Sequence, residues 1–375
     1  MAVNVSIVIG TYNYADYLPA AVESALAQVG ATTEVVVVDD GSTDGTPGLL
    51  NRWSGSIVNI RTENRGQLAA LATGFARTSG RMVVFLDADD VLLPQAAQVI
   101  RDASTDDALA KLHWPMPEID DRGLAIGSVR PTEALPSGDL TAQLCRLGPE
   151  GAAYPPTSGN AWRREFLERV LPGPGDQFRL AADQYLAVLA PFHGLVGRVD
   201  EPLSQYRRHA DSVHSSAPLD ERIRITNDHY GRTATLLRSI CEERGMACEW
   251  EAWEEHSWTR RLEQTLDELD RAVPPGSTVV LMDQDEWALP DGRPWVPVPI
   301  PSDHGHYAGL PADSSRVIGE LEDRRLEGAT HLVITDSAFW WLDAYEGLSE
   351  YLRTRALAIS DTDRYRLFEL SELTP

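Results

Sequence analysis

The sequence predicts an α/β protein: a mostly parallel sheet flanked by helices, then a helical segment, then a small C-terminal α/β domain. Three observations predict it. Glu34–Asp39 carries apolar residues at consecutive positions, as a parallel strand covered on both faces requires. Strand-length and helix-length segments alternate over residues 3–101. Pro274–Pro275–Gly276 then separates a final α/β stretch, 273–375, from what precedes it. At 375 residues the chain exceeds one ordinary core. The expected division is 1–217, a helical connector over 218–272, and 273–375.

The elements follow in order. Val3–Ile9 is a buried strand, and Leu18–Ala27 a helix with Pro19 in its first turn. After Glu34–Asp39 comes a short helix over Thr43–Trp53, with Asp44 or Ser42 as its cap. Ile57–Arg61 is a third strand, Gln67–Thr78 a helix, Arg81–Leu86 a fourth strand and Pro94–Arg101 a helix. From about 105 to 160 prolines break the pattern, which reads as strands and loops over one mouth of the sheet. Ala161–Val170 and Ala181–Ala190 are helical, and Leu195–Asp200 and Leu203–Arg207 are short strands. Residues 218–271 are charged and helical; beyond them Thr278–Met282 and His331–Thr335 are strands, and Ala312–Leu326 and Leu342–Arg353 helices.

Composition narrows the function. A charge of −24 repels nucleic acid and anionic lipid, so a nucleic-acid partner is excluded. Lys111 is the only lysine, so a phosphate must be gripped by arginine, backbone N–H or metal. Three cysteines, Cys145, Cys241 and Cys248, with no tight pair, fit inert thiols in a reducing compartment. No apolar run reaches membrane-spanning length, so no integral membrane segment and a cytoplasmic location are expected.

Carboxylates gather at strand ends. Asp39–Asp40 follow the second strand; Asp87, Asp89 and Asp90 follow the fourth. Two unit charges 4 Å apart repel by about 4 kcal/mol at an effective dielectric near 20. Such a cluster calls for a cation or hydrogen-bond donors, and Mg2+ or Mn2+ with a nucleotide diphosphate supplies both. Open α/β sheets bind ligands at this end, where Thr11–Tyr12–Asn13 and Asn64–Arg65–Gly66 also converge. Neither G-x-G-x-x-G nor G-x-x-x-x-G-K-[ST] occurs there, which disfavours a dinucleotide enzyme or a P-loop phosphotransferase.

VSIVIGTYNYADYL, VVVVDDGSTDGT, ENRGQLAALATGFARTSG and VVFLDADDVLLP together resemble the nucleotide-binding half of a family 2 glycosyltransferase with the GT-A fold. The resemblance is strong over residues 3–105 and extends more weakly to about 210 through SGNAWRR, AADQYL and YRRH. Gly10 stands where the family often has proline, and Ala182–Asp183 where it commonly has an acidic pair.

Roles follow partly from chemistry. Tyr12 offers a ring to a base. Of Asp39 and Asp40, one caps the turn and the other, Asp40, reads the N3–H of uracil or thymine; guanine also offers an N–H, so a guanosine donor stays open. Arg65 reaches base, ribose or diphosphate. The resemblance implies more: Asp87 on the ribose with Ala88 beside it, Asp89 on the metal with Asp90 as a second candidate, His209 as a nitrogen ligand, and Asp183 as general base. Arg207 and Arg208 are candidate diphosphate clamps; Trp114, Asn160 and Trp162 are candidate acceptor contacts. The activity implied is inverting, metal-dependent transfer from a UDP- or dTDP-sugar to a saccharide or small-molecule acceptor. The alternatives are a non-catalytic nucleotide-sugar-binding module and a nucleotidyltransferase, whose basic glycine-rich first loop is missing. The C-terminal domain is expected to shape the acceptor side or build a homodimer.

Overall fold

The computed structural model describes residues 2–174, 177–209, 219–284, 287, 292–303, 306–307 and 310–370. The chain forms two compact units. The first comprises Met1–Ala125, Val129–Arg208 and Asp228–His256; the second comprises Ile126–Ser128, His209–Asn227 and Ser257–Pro375.

In the first unit the chain runs β1 (Val5–Thr11), α1 (Leu18–Leu26), β2 (Thr33–Asp39), α2 (Thr46–Leu49), β3 (Val58–Arg61), α3 (Gln67–Phe75), β4 (Met82–Asp87), β5 (Val91–Leu92) and α4 (Ala96–Ala103). There follow β6 (Leu109–His113), β7 (Met116–Ile119), β8 (Ala125–Arg130, whose Ile126–Ser128 count with the second unit), α5 (Thr141–Leu147), β9 (Asn160–Arg163), α6 (Arg164–Val170), α7 (Ala182–Leu189), β10 (Leu195–Arg198) and β11 (Ser204–Arg207). The main sheet has the order β10-β6-β9-β4-β1-β2-β3. β1 pairs in parallel with β2 on one side and β4 on the other. The chain leaves β1 toward β3, then returns to β4 across β1. That reversal opens a crevice at the carboxyl ends of β1 and β4.

Strand alternation gives the sheet two apolar faces. Val5, Ile7, Ile9, Met82, Val84 and Leu86 pack with Leu18, Val22 and Ile100 on one. Val8, Val83 and Phe85 pack with Leu68, Leu71, Phe166 and Leu186 on the other. Each such side chain contributes about 1.5–3 kcal/mol on burial, so the sheet is a rigid base for its loops.

Two expectations are corrected in this unit. The first residues of the expected Ala161–Val170 helix are β9, antiparallel to both β4 and β6. Ala161 serves one core face and Trp162 the other, an alternation only a strand supplies. The helix expected over Thr43–Trp53 shrinks to α2 and a 3-10 turn, Leu50–Trp53, because Gly45, Pro47 and Gly48 weaken it. A smaller sheet, β5-β11-β7-β8, stands beside the turn that ends β4.

The long helix α8 (Leu219–Glu243) contributes residues to both units. The second unit continues with α9 (Trp258–Ala272), whose Ser257 Oγ accepts the Arg260 N–H at 3.2 Å. Then come β12 (Thr278–Met282), β13 (Val296–Pro299), the short pair β14 (Ser302–Asp303) and β15 (His306–Tyr307), α10 (Ser314–Leu326), β16 (Ala329–Thr335), α11 (Trp341–Ala344), α12 (Glu346–Arg355), β17 (Leu357–Asp361) and β18 (Tyr365–Glu369). The sheet order is β13-β12-β16-β18-β17. Val280, Met282, Leu332 and Ile334 face Trp341 and Leu348; Val279, Leu281 and Val333 face Leu262 and Leu266 of α9. The helix expected over Leu342–Arg353 is broken at Tyr345, whose hydroxyl donates to the Pro311 carbonyl at 2.8 Å. Among the described residues no helix is long and apolar enough to cross a membrane.

Candidate active site

Register sets the ends of three strands side by side: Thr11 opposite Asp39, and Gly10 opposite Asp87. The loop after β1 is laced to the loop after β2. Asn13, in the left-handed region at φ 59°, donates its N–H to Ser42 Oγ at 3.0 Å and accepts the Thr43 N–H on Oδ1 at 2.8 Å. Thr11 is buried, and its carbonyl accepts the Asp40 N–H at 2.9 Å. Tyr12, on the same loop, stays 44% exposed, so a ring face is available to a ligand.

Asp39 and Asp40, at the end of β2, both accept hydrogen bonds from the fold, and Asp39 Oδ2 is buried without one. Asp39 Oδ1 accepts the Ser42 N–H at 2.8 Å. Asp40, 4% exposed, accepts the Gly66 N–H at 2.7 Å, the Arg65 N–H at 3.0 Å and the Thr62 hydroxyl at 3.1 Å. Asp40 therefore holds the loop that carries Arg65, whose own side chain is exposed.

Gly66 makes that loop possible. Its φ of 89° and ψ of 170° belong to a region essentially reserved for glycine. A Cβ there meets the Arg179 Cα at 2.7 Å. The next residue, Gln67, donates its N–H to the Arg179 carbonyl at 2.6 Å. Gly66→Ala is expected to destabilise the protein by about 2 kcal/mol or more, measured as a lower thermal midpoint, because neither backbone can withdraw.

Gln67 bridges two parts of the site. Its Nε2 donates to Asp87 Oδ1 at 3.0 Å, and its Oε1 accepts the Ala182 N–H at 3.0 Å. Ala182 opens α7 after Ala181, a non-glycine residue at φ 62°. The bridge ties Asp87 to the start of α7, whose first turn carries Asp183. Burial first, and then Asp89 and Asp183, push the Asp87 carboxyl up to about 8. Its N–H is held by Ser158 Oγ at 2.9 Å.

Asp90 points inward. It accepts the Arg207 N–H at 2.9 Å, and burial with Asp89 and Asp87 pushes its carboxyl well up. Its Oδ2 is buried without a hydrogen bond. Asp89 remains half-buried at the turn. Tyr14 and Tyr206 stand close enough for these carboxylates to push their hydroxyls up, after burial. Among the described residues no three His, Cys, Asp or Glu side chains form a ready-made cation site. The donors nonetheless suit a hard cation: all oxygen, mutually repelling, and with one buried oxygen unsatisfied.

A small pocket lined by Lys111, His113 and Tyr154 was missed by sequence reasoning. Lys111 of β6 is 2% exposed, its ammonium 5.1 Å from the Trp162 ring centroid and 5.9 Å from that of Tyr154. Burial pushes it down to about 7, opposed by Asp183. The Tyr154 hydroxyl is pushed up by burial and by Asp183. Nothing in the local sequence LAKLH marks the lysine as internal.

The other expected contact residues lie as follows. Trp114 is wholly buried and donates Nε1–H to Ser204 Oγ at 2.8 Å, and Trp162 lies in the core under Lys111, so neither shows a face to an acceptor. Asn160 is buried and donates Nδ2–H to the Pro156 carbonyl at 2.8 Å, stapling its own loop. Arg207, 5% exposed, donates to the Asp89, Asp120 and Asp121 carbonyls at 2.8, 3.0 and 3.2 Å, and so braces the acidic turn. Arg208 lies 3.8 Å from Glu118. His209 is buried and belongs to the second unit. Ala88 is buried at the turn.

Residues 6–125 match the family model described as Glycosyl transferase family 2. Over 218 residues the chain is 36% identical to an uncharacterized glycosyltransferase of Nostoc sp., covering 57% of this chain and 67% of that protein. The chain belongs to the family 2 glycosyltransferases. The transferase is also 43% identical over 93 residues to the succinoglycan biosynthesis protein ExoO of Rhizobium meliloti, covering 24% of this chain and 27% of that one. The transferase thus spans two thirds of the first relative and about a quarter of the second. Among solved structures it is similar to the mannosyltransferase PcManGT from Pyrobaculum calidifontis in complex with GDP-Man and Mn2+, at 20% identity and a TM-score of 0.46, covering 72% of this chain and 76% of that one.

Proposed function

We propose that the transferase moves a sugar, with inversion, from a nucleotide-diphosphate sugar to an acceptor hydroxyl. The observation that supports this is the Gln67 bridge, which ties Asp87, at the end of β4, to the first peptide of the helix that carries Asp183. One carboxylate at the start of a helix tied to a cluster of others suits a proton acceptor flanking a donor site.

Tyr12 supplies a ring face for a uracil or thymine base, and the exposed Arg65 a cation for ribose or diphosphate. Asp87 accepts from the ribose. Asp89 is the ligand for Mn2+ or Mg2+, which when bound neutralises charge on the leaving diphosphate. Phosphate oxygens and water complete such a coordination sphere, so a protein cage is not required. Asp183 takes the proton of the acceptor hydroxyl as its oxygen attacks the anomeric carbon, and the bond to the diphosphate oxygen breaks on the opposite face. A saccharide acceptor accords with the name of the Rhizobium relative.

The test is a panel of UDP-, dTDP- and GDP-sugars with and without Mn2+, read by thermal shift and by nucleotide release. A ligand at 100 times its dissociation constant stabilises by about 2.7 kcal/mol, so a binding donor is plainly visible. A panel in which no nucleotide sugar shifts the midpoint or releases nucleotide refutes the reading.

A further inference from the structure

All three cysteines of the chain meet in one place, within the first unit. Cys145 lies on α5 and Cys241 on α8, and their sulfurs stand 3.4 Å apart although 96 residues separate them. Both are buried, at 4% and 0% exposure, and Cys248 is partly exposed. Backbone hydrogen bonds bring the third thiol to the pair. Just beyond α8, Gly245 stands at φ 63°, and the Met246 N–H returns to the Cys241 carbonyl at 2.8 Å, which folds the chain back along the last turn. The Glu249 N–H then reaches the Cys145 carbonyl at 3.0 Å, and Trp253 Nε1–H donates to the same carbonyl at 3.0 Å. Cys248 sits between these anchors and packs against the cluster that holds Cys145 and Cys241. The expectation of cysteines without a tight pair is corrected: helix packing pairs residues that no spacing in the chain connects.

We infer that Cys145 and Cys241 are a modification site: a thiol pair that closes to a disulfide under a hydroperoxide, with Cys248 as the thiol that the oxidant meets first. The two sulfurs need to approach by only about 1.4 Å to reach bonding distance. Burial first, and then the thiols of Cys145 and Cys248, push Cys241 up, so it is a poor first nucleophile. Cys248 is the one that water and peroxide reach. Its thiolate attacks the peroxide; an S–O bond forms, the O–O bond breaks and one water leaves, giving a sulfenic acid. The Cys241 sulfur attacks the Cys248 sulfur; the S–S bond forms, the S–O bond breaks and a second water carries off the Cys241 proton. The Cys145 sulfur then attacks Cys241, and Cys248 departs as a thiol with the Cys145 proton. Two thiols lose two electrons and two protons, and one hydrogen peroxide becomes two waters.

The bond staples α5 to α8. It closes a loop of 96 residues, and a cross-link over that length removes much of the freedom of the unfolded chain. The oxidised protein is therefore the more heat-stable form.

The test treats the folded full chain with hydrogen peroxide, then unfolds, alkylates and digests it for mass spectrometry. The expected product is a cross-linked peptide pair carrying Cys145 and Cys241, with Cys248 alkylated. The thermal midpoint should rise by about 5 °C or more and fall back with dithiothreitol. Cys248→Ala should slow the cross-link about tenfold. Cys145→Ala should halt the relay one step early, leaving a Cys241–Cys248 cross-link. Wild-type protein in which Cys145 and Cys241 are both still alkylated once Cys248 has been oxidised overturns the proposal, and so does a cross-link that leaves the midpoint where it was. A Cys145–Cys241 bond that forms at the wild-type rate in Cys248→Ala overturns the entry role of Cys248.

Discussion

Asp183→Asn should lower kcat about a thousandfold while leaving donor binding in place. Asparagine keeps the shape of the side chain and its place in the first turn of α7, but it cannot take a proton. The Gln67 bridge contacts the Ala182 N–H and not the Asp183 side chain, so the helix start survives. Asp87 should lose one of the charges that push it up, which favours its ionised form and, if anything, tightens the donor. The check is steady-state kinetics beside donor titration. A kcat within tenfold of wild type would remove Asp183 from the chemistry. Loss of donor binding would show that its role is to build the pocket.

Asp89→Asn should act in two directions at once. Metal-dependent donor binding should vanish, and with it the stabilisation of about 2.7 kcal/mol expected at 100 times the dissociation constant. Chelation of the metal from the wild type should give the same loss. The metal-free variant should nevertheless be more stable than the metal-free wild type, by about 1 kcal/mol, because Asp89 raises the cost of ionising both Asp87 and Asp90. Thermal midpoints with EDTA and with Mn2+ plus donor measure both effects. A variant that loses stability in EDTA, or that keeps its metal-dependent shift, contradicts the assignment.

The sheet was legible because apolar runs and their spacing report directly on burial. Glu34–Asp39 and Arg81–Leu86 lie where β2 and β4 are found. The acidic strand ends were legible too, because density of charge is visible in one dimension. Orientation is not. Asp40 and Arg207 carry the charges a ligand would need, yet the fold turns both onto backbone groups. Trp114 and Trp162 look like sugar platforms in a sequence but are core side chains. β9 was hidden because four residues carry too little periodicity to distinguish strand from helix. Gln67 was hidden for another reason: a neutral amide on a helix has no signature until both of its partners are placed. Lys111 could have drawn suspicion by its rarity alone, since a chain that uses arginine everywhere else kept one lysine.

The amide of Gln67 has a polarity that no charged side chain reproduces. It gives a proton to one carboxylate and receives one from the first peptide of α7, so glutamate or lysine at that position can make only half of the connection. On the proposed reading, one amide thus ties the donor-side carboxylate to the start of the helix that carries the base, and Gln67→Glu or Gln67→Lys would break half of that tie.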